Sequence, residues 1–440
     1  MAADKQWSTQ QNAIFSFILS LATAARNLVV RARAGTGKTT TIIEAIRRLS
    51  EAAPQLSICL CAFNKRIAEE LAHRLGALPN ACAKTLHSLG FGFVMAHWRA
   101  VKVDNRRGSL IAKRVCGEDA PKAVLKAVAK LAGLAKNMAP LGATPAALLQ
   151  IGMDFEIFPS DPFECGNWDD DAIVAATIRA LQAAQTFDGS VDFDDMIYLP
   201  IALNLVRAKF DVVVVDEAQD MNAAQLLIAQ RLCRGSVVVV GDDRQSCYTF
   251  RGADAKSIDR LKTELAAEEL PLTITYRCPK AVVALAQRLV PDFIAADTAP
   301  EGLVTNLKAE QLLNAAAPGN FILSRKNAPL MGICLQLLKL NVRAKIVGRD
   351  IGETLATLVR KLGRDGTTDG LLSRLDKWEA KEVQLAQRTD NETRAAEATD
   401  KADVLRALAE DVDTVDEVLA RIDTLFADLI AGQPIKSVVL

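Results

Sequence analysis

The chain has 440 residues, enough for two or three domains with cores of their own. Half of them are hydrophobic and 24% are charged, a globular composition that excludes a disordered chain. The formal net charge is zero, so any polyanion would have to be held by a local basic groove rather than by overall charge. Strand-like apolar runs come at Leu28–Arg31, Ser57–Phe63, Asp211–Val215, Ser236–Val240 and Leu272–Tyr276. Helix-period segments alternate with them, which predicts an α/β fold with a parallel sheet covered on both faces. From about residue 95 to 190 the pattern is helical without a strong strand. After Arg277 shorter strands are predicted at Leu303–Leu307, Asn320–Ser324 and Val342–Val347. A charged helical stretch follows from about 355 to 432, and Ser437–Leu440 begins another strand.

No apolar run approaches the ~20 residues that span a bilayer. The N-terminus, MAADKQWSTQQ, has no signal-peptide core, so a soluble cytoplasmic protein without a membrane partner is expected. Nine cysteines without a C-x-x-C, and three histidines, indicate neither a disulfide framework nor a metal cluster. Cys59 and Cys61 fall in a strand and read as small buried hydrophobes.

The strongest local signal is ARAGTGKTT, Ala32–Thr40, between the strand LVVR and the helix TTIIEAIRRL. Glycines at 35 and 37 let backbone N–H groups turn toward phosphate oxygens. Lys38 would reach the β- and γ-phosphates, and the Thr39 hydroxyl would bind Mg²⁺. The helix N-terminus adds a favourable dipole. The plain alternative is a glycine turn before an ordinary helix, and Ala32 stands where the general pattern has glycine.

FDVVVVDEAQD, Phe210–Asp220, puts two carboxylates at the end of a buried strand, where open α/β sheets bind ligands. Asp216 is suited to hold Mg²⁺ and Glu217 to orient and deprotonate a water; the alternative is a helix N-cap. Gln245 follows the next strand and could sense the γ-phosphate. Arg277 ends the strand LPLTITYR and could neutralise charge on a transferring phosphoryl group, or make a surface ion pair.

Together these segments resemble the UvrD/Rep-like superfamily 1 DNA helicases, from the first residues to about Asp350. WSTQQNAI resembles the Q motif, with Gln10 or Gln11 toward the adenine, Gln10 being preferred. ARAGTGKTT resembles motif I, and alanine at 32 suits the family. CAFNKRIAEEL resembles motif Ia, AKTLHSLGF the motif after it, VDEAQD motif II, GDDRQSCYTFRGA motif III and TYRCP motif IV. VDFDDMIYLP resembles the segment that returns the chain from the first insertion, and FILSRKNAPL a motif of the second domain.

The resemblance implies two RecA-like P-loop NTPase domains, each with a helical insertion: 1A (1–94 and 191–276), 1B (95–190), 2A (277–354, returning at 433–440) and a short 2B (355–432). It implies ATP and Mg²⁺ as cofactors, with Ala34, Gly35, Thr36, Gly37, Lys38, Thr39, Thr40 and Tyr276 at the nucleotide, Tyr276 stacking on the adenine. It implies translocation on single-stranded DNA, typically 3′ to 5′, in replication, repair or recombination, with single/double-strand junctions as partners. Two positions depart from the family: Thr40 stands where arginine is frequent, and Phe250 where tryptophan is frequent.

For the strand, aromatic stacking beside basic groups is the expected chemistry. The candidates are Phe63, Asn64, Thr85, His87, Tyr248, Phe250 and Arg251. Lys122, Lys126 and Lys130 share one helical face, either facing DNA or simply solvated. No T-x-H-x-x-K-G segment follows Arg277, so the second domain is expected to be incomplete at the C-terminus, with weak ATP binding, poor turnover and no unwinding by the 440 residues alone. Such a chain would be a nucleotide- or DNA-binding fragment, or a subunit of a helicase–nuclease.

Overall fold

The computed structural model describes residues 6–159, 165–186, 189–245, 257–324, 328–340, 342–346, 351–388, 392–426, 429–430, 433–434 and 438–439. The chain forms two compact units, Met1–Val304 and Thr305–Leu440.

The first unit is built on a six-stranded sheet: β1 (Leu28–Ala32), β2 (Ile58–Ala62), β3 (Ala81–Thr85), β4 (Phe210–Val215), β5 (Cys233–Gly241) and β6 (Glu268–Leu272). The spatial order is β3-β2-β4-β5-β1-β6 and every pairing is parallel. The central strands are buried on both faces, hence their unbroken Val, Leu and Cys runs. Helices α1 (Thr9–Ser20), α2 (Lys38–Ala52) and α3 (Lys65–Leu75) cover one face, where Ile14, Ile42, Ile46 and Leu71 pack on Val30, Leu60 and Val214. Helix α4 (Leu86–His97), with the later helices Asp195–Ala202, Ala223–Leu232 and Ser257–Glu264, covers the other, where Leu89, Ile197, Ile228 and Ile258 pack on Val29, Val213 and Val239.

Two edges differ from the sequence expectation. The sixth strand is Glu268–Leu272, not Leu272–Tyr276. Glutamates are poor strand formers, yet here Glu268 pairs with Arg26 and Glu269 with Arg31 at 2.7 Å, while Leu270 and Leu272 turn to the core. Charged outward positions suit an edge. Residues Ile274–Thr275 instead make a separate parallel pair with Ile294–Ala295. At the other edge, β3 has the sequence ACAKT, which carries no strand signal of its own and forms by pairing with β2.

Between β3 and β4 the chain runs through α5 (Arg107–Cys116), α6 (Lys122–Met138), α7 (Pro145–Asp154) and α8 (Asp170–Ala184), packed around Val128, Leu131, Leu148 and Ile173. It returns through α9 (Asp195–Ala202), and α10 (Ala223–Leu232) and α11 (Ser257–Glu264) flank β5. The pair Lys102–Val103 and Ser190–Val191 closes the neck of this helical segment. In the second unit, Val438–Val439 pairs in parallel with Ala344–Lys345 and bridges Phe321. The strand expected at Val342–Val347 is thus shorter, the one at Asn320–Ser324 is reduced to a single bridge, and Leu303–Leu307 is not a strand. Leu303 is 83% exposed, and a short apolar run without a neighbouring strand has nothing to pair with. Helices at Ala328–Lys339, Ile351–Leu362, Thr368–Arg388, Glu392–Leu408 and Val415–Phe426 share one core with Val438. Among the described residues no helix is long and apolar enough to cross a membrane.

Candidate functional site

The C-terminal ends of β1, β2, β3, β4 and β5 lie along one edge of the parallel sheet, and the loops that leave them carry most of the residues singled out above. After β1 the glycine loop turns into α2. Gly35 has φ +69° and Gly37, the N-cap of α2, has φ +80°, a region open to glycine and strained for other residues. A Cβ on Gly35 would also lie 2.5 Å from Arg277 Cβ and 2.7 Å from Thr275 Oγ1. The Tyr276 N–H donates to the Gly35 carbonyl at 2.9 Å, so the loop is tied to the segment carrying Tyr276 and Arg277. Both side chains there are exposed, and among the described residues Arg277 makes no ion pair.

After β4 the backbone turns sharply at Glu217, which has φ +53° and ψ +43°. Such a conformation costs a non-glycine residue about 1–3 kcal/mol and is held only where its surroundings impose it. Here it turns the carboxylate back toward α2: Lys38 Nζ donates to Glu217 Oε2 at 3.0 Å. Beside it, Thr39 Oγ1 donates to Asp216 Oδ2 at 3.0 Å. Asp216 is 5% exposed. Burial, with the neighbouring Glu217 charge, holds its carboxyl above the ordinary carboxylate range. Lys38, Thr39 and Asp216, expected at phosphate and metal, and Glu217, expected at the water, therefore lie in one place.

A polar chain continues from them. Gln219 Nε2 donates to Glu217 Oε2 at 2.8 Å, and Gln219 Oε1 accepts from the Asp242 N–H at 3.0 Å. Gln245 Nε2 donates to Asp242 Oδ2 at 2.7 Å. Arg33, inside the glycine loop, is buried and binds Asp242, Asp243 and Asp292. Nothing local in the sequence marks Arg33, because all its partners are more than two hundred residues away.

Of the two glutamines in α1, Gln10 exchanges two hydrogen bonds with Thr273, at 2.9 Å each, three residues before Tyr276. Gln11 closes a capping box with Ser8 and donates to Thr41 Oγ1 at 3.0 Å, on the helix of the glycine loop. Gln10 is thus tied to the segment leading to Tyr276, and Gln11 to the helix that follows the loop. The Thr40 hydroxyl accepts from Arg74 Nη2 of α3 at 3.0 Å, which puts a guanidinium beside this position by a long-range contact.

Beside this cluster opens a cleft of about 800 Å³ lined by Phe63, Asn64, Thr85, His87, Lys130 and Phe193, among others. Asn64 and Thr85 are the N-caps of α3 and α4, accepting from Ile67 N–H at 2.9 Å and Ser88 N–H at 3.0 Å. Two helix N-termini thus face the cleft, and helix N-termini favour anions. The His87 and Phe193 rings meet edge to face at 6.3 Å. Phe193 is 55% exposed; an exposed phenylalanine between acidic residues in VDFDD was the available signal for it, and it was not among the candidates. Phe63 and His87 also touch a small pocket whose other wall is Asp216 and Glu217, so the cleft and the acidic pair share a boundary. Tyr248, Phe250 and Arg251 lie outside the described residues.

Residues 16–266 match the family model described as the UvrD/REP helicase N-terminal domain. DNA helicase II of Escherichia coli (strain K12) is 27% identical over 289 residues, covering 60% of this chain and 38% of that protein. ATP-dependent DNA helicase PcrA of Staphylococcus epidermidis is 25% identical over 296 residues, 63% of this chain and 39% of that protein. PcrA of Bacillus subtilis (strain 168) is 30% identical over 131 residues, 27% of this chain and 18% of that protein. The chain thus matches less than two fifths of the length of these relatives.

Proposed function

Because the chain belongs to the UvrD/REP helicase family, we propose that it works as the ATP-binding part of a motor that moves on single-stranded DNA. The reading includes 3′-to-5′ movement, single/double-strand junctions as substrates, and a place in replication, repair or recombination. It also keeps the bounds of 1A, 1B, 2A and 2B drawn from the sequence. The observation that carries it is the shared wall: Phe63 and His87 on the cleft side, Asp216 and Glu217 on the other. A strand held in the cleft would press on the segment that orients the attacking water.

The residues present fit Mg²⁺ and ATP. Asp216 is a buried carboxylate, held above its ordinary range by burial and by the neighbouring Glu217 charge, and Thr39 supplies a hydroxyl oxygen beside it. One carboxylate, one hydroxyl and phosphate oxygens are an ordinary Mg²⁺ environment, and the ion would supply charge neutralisation on the β- and γ-phosphates. Lys38, held by Glu217 at 3.0 Å, would transfer its ammonium to the phosphates. That exchange frees Glu217 to accept a proton from water. Gln219 holds Glu217 directly and Gln245 the far end of the same chain of hydrogen bonds, Arg277 would face the transferring group, and Tyr276 the base.

In the cleft, Phe63 would stack on a base while the N-termini of α3 and α4, through Asn64 and Thr85, receive phosphates. His87, and beyond the described residues Tyr248, Phe250 and Arg251, belong to the same proposal. Phe63→Ala is expected to weaken binding of a fluorescent oligothymidylate by about 1–3 kcal/mol, the usual worth of one base–aromatic stack. Normal binding by a variant that melts early would instead make Phe63 a packing residue and remove it from the strand path.

A further inference from the structure

Helix α6 forms one wall of the cleft through Lys130, Gly133, Leu134 and Asn137. The helix is fastened to the core at this end. Lys136 is 3% exposed and pairs with Asp192 at 3.0 Å and Asp195 at 2.8 Å. Burial opposes its charge, but the two carboxylates outweigh burial and hold the amine above its ordinary value. Arg107, from α5, meets the same Asp195 at 2.5 Å. Asn137 Nδ2 donates to Asp194 at 3.0 Å and Asn137 Oδ1 accepts from Asn222 at 2.9 Å. Removing one member of such a buried ion cluster leaves an uncompensated charge, so the rotation of α6 about its axis is fixed relative to the sheet.

With that rotation fixed, Lys122, Lys126 and Lys130 point outward together. They are spaced by four residues, so each step advances about 40° around the helix and rises about 6 Å. All three are exposed. Helix α6 contains no acidic residue, and among the described residues none of the three makes an ion pair. Lys130 lies 3.5 Å from the Phe155 carbonyl, a neutral partner that leaves its charge uncompensated. Like charges at this spacing weaken a helix slightly, and a polyanion lying along the row would reverse the sign of that effect.

We infer that this row is a phosphate track: it carries the sugar–phosphate backbone of the DNA strand where that strand leaves the cleft, with Lys130 at the mouth and Lys126 and Lys122 beyond it. The track rests on the strand-binding reading of the cleft. It adds to that reading a direction for the exit and a set of contacts that are purely electrostatic. Contacts of this kind are blind to sequence and strongly dependent on salt.

The test is the salt dependence of oligothymidylate binding by wild type and by the Lys122→Gln/Lys126→Gln/Lys130→Gln variant, with a short oligomer that fits the cleft and a longer one. Three lost phosphate contacts should lower the slope of log K against log salt by about 2, at roughly 0.7 per contact on single strands. Tripling the salt would then cost wild type about tenfold more affinity than it costs the variant. The difference should appear with the longer oligomer and shrink with the short one. Lys126→Gln alone should lower the slope by about 0.7 and guards against a folding defect in the triple variant, whose thermal midpoint should match wild type. Wild-type binding with an unchanged slope in both variants would overturn the track alone. A wild-type protein that binds neither oligomer would overturn the strand-binding reading and the track with it.

Discussion

Lys38→Ala is expected to lose ATP turnover by a factor of about 10²–10³, the cost typical of removing one preorganised donor from a reacting centre, and to lose nucleotide affinity with it. The fold should survive. The Lys38 ammonium pairs with Glu217, which is 35% exposed, so water can solvate the carboxylate left behind. The rest of the loop is held by contacts that do not involve this side chain, among them Tyr276 N–H to the Gly35 carbonyl and Thr36 Oγ1 to the Arg33 carbonyl. Steady-state turnover and a thermal melt measure both halves. Wild-type turnover in a folded Lys38→Ala protein would take the glycine loop out of the chemistry.

Glu217→Gln should separate binding from hydrolysis. Turnover is expected to fall by about 10²–10⁴-fold, the range supplied by a positioned general base. Nucleotide affinity should stay equal or rise, because in the free protein Glu217 competes with phosphate for the Lys38 ammonium at 3.0 Å and glutamine competes far less. Equilibrium titration with a fluorescent ATP analogue reads this directly. A loss of affinity as large as that of Lys38→Ala would mean that Glu217 builds the binding site rather than acting on water.

The contrast between what was legible and what was not follows the range of the interactions. The glycine loop and the Asp216–Glu217 pair stand out because strand, turn and helix adjoin in sequence and each carries its own signal: VVVV before the acids, two glycines before α2. Asn64 and Thr85 are candidates for DNA contact in the sequence. Their capping of α3 and α4 follows from position, a polar residue just before a helical run, and could have been added. Arg33 and the Arg107–Asp195–Lys136 cluster could not, since their partners meet only once the chain is folded. The register of β6 was hidden because Glu268 and Glu269 look like loop residues until Arg26 and Arg31 are placed beside them. After Arg277, short runs such as Leu303–Leu307 carry the same local pattern as real strands, and only the availability of a neighbour decides between them.

In the proposed motor the cleft and the acidic pair act on each other through the wall formed by Phe63, His87, Asp216 and Glu217. The direct measurement is the initial rate of Mg²⁺-dependent ATP hydrolysis as oligothymidylate is titrated in, with binding of the same oligomer followed in parallel. Whatever its absolute value, the rate relative to that without DNA should rise and saturate at the oligomer concentration where binding saturates, since the coupling is carried by one shared boundary. A rate that stays flat while the cleft fills would contradict the coupling and leave two independent binding sites on one sheet.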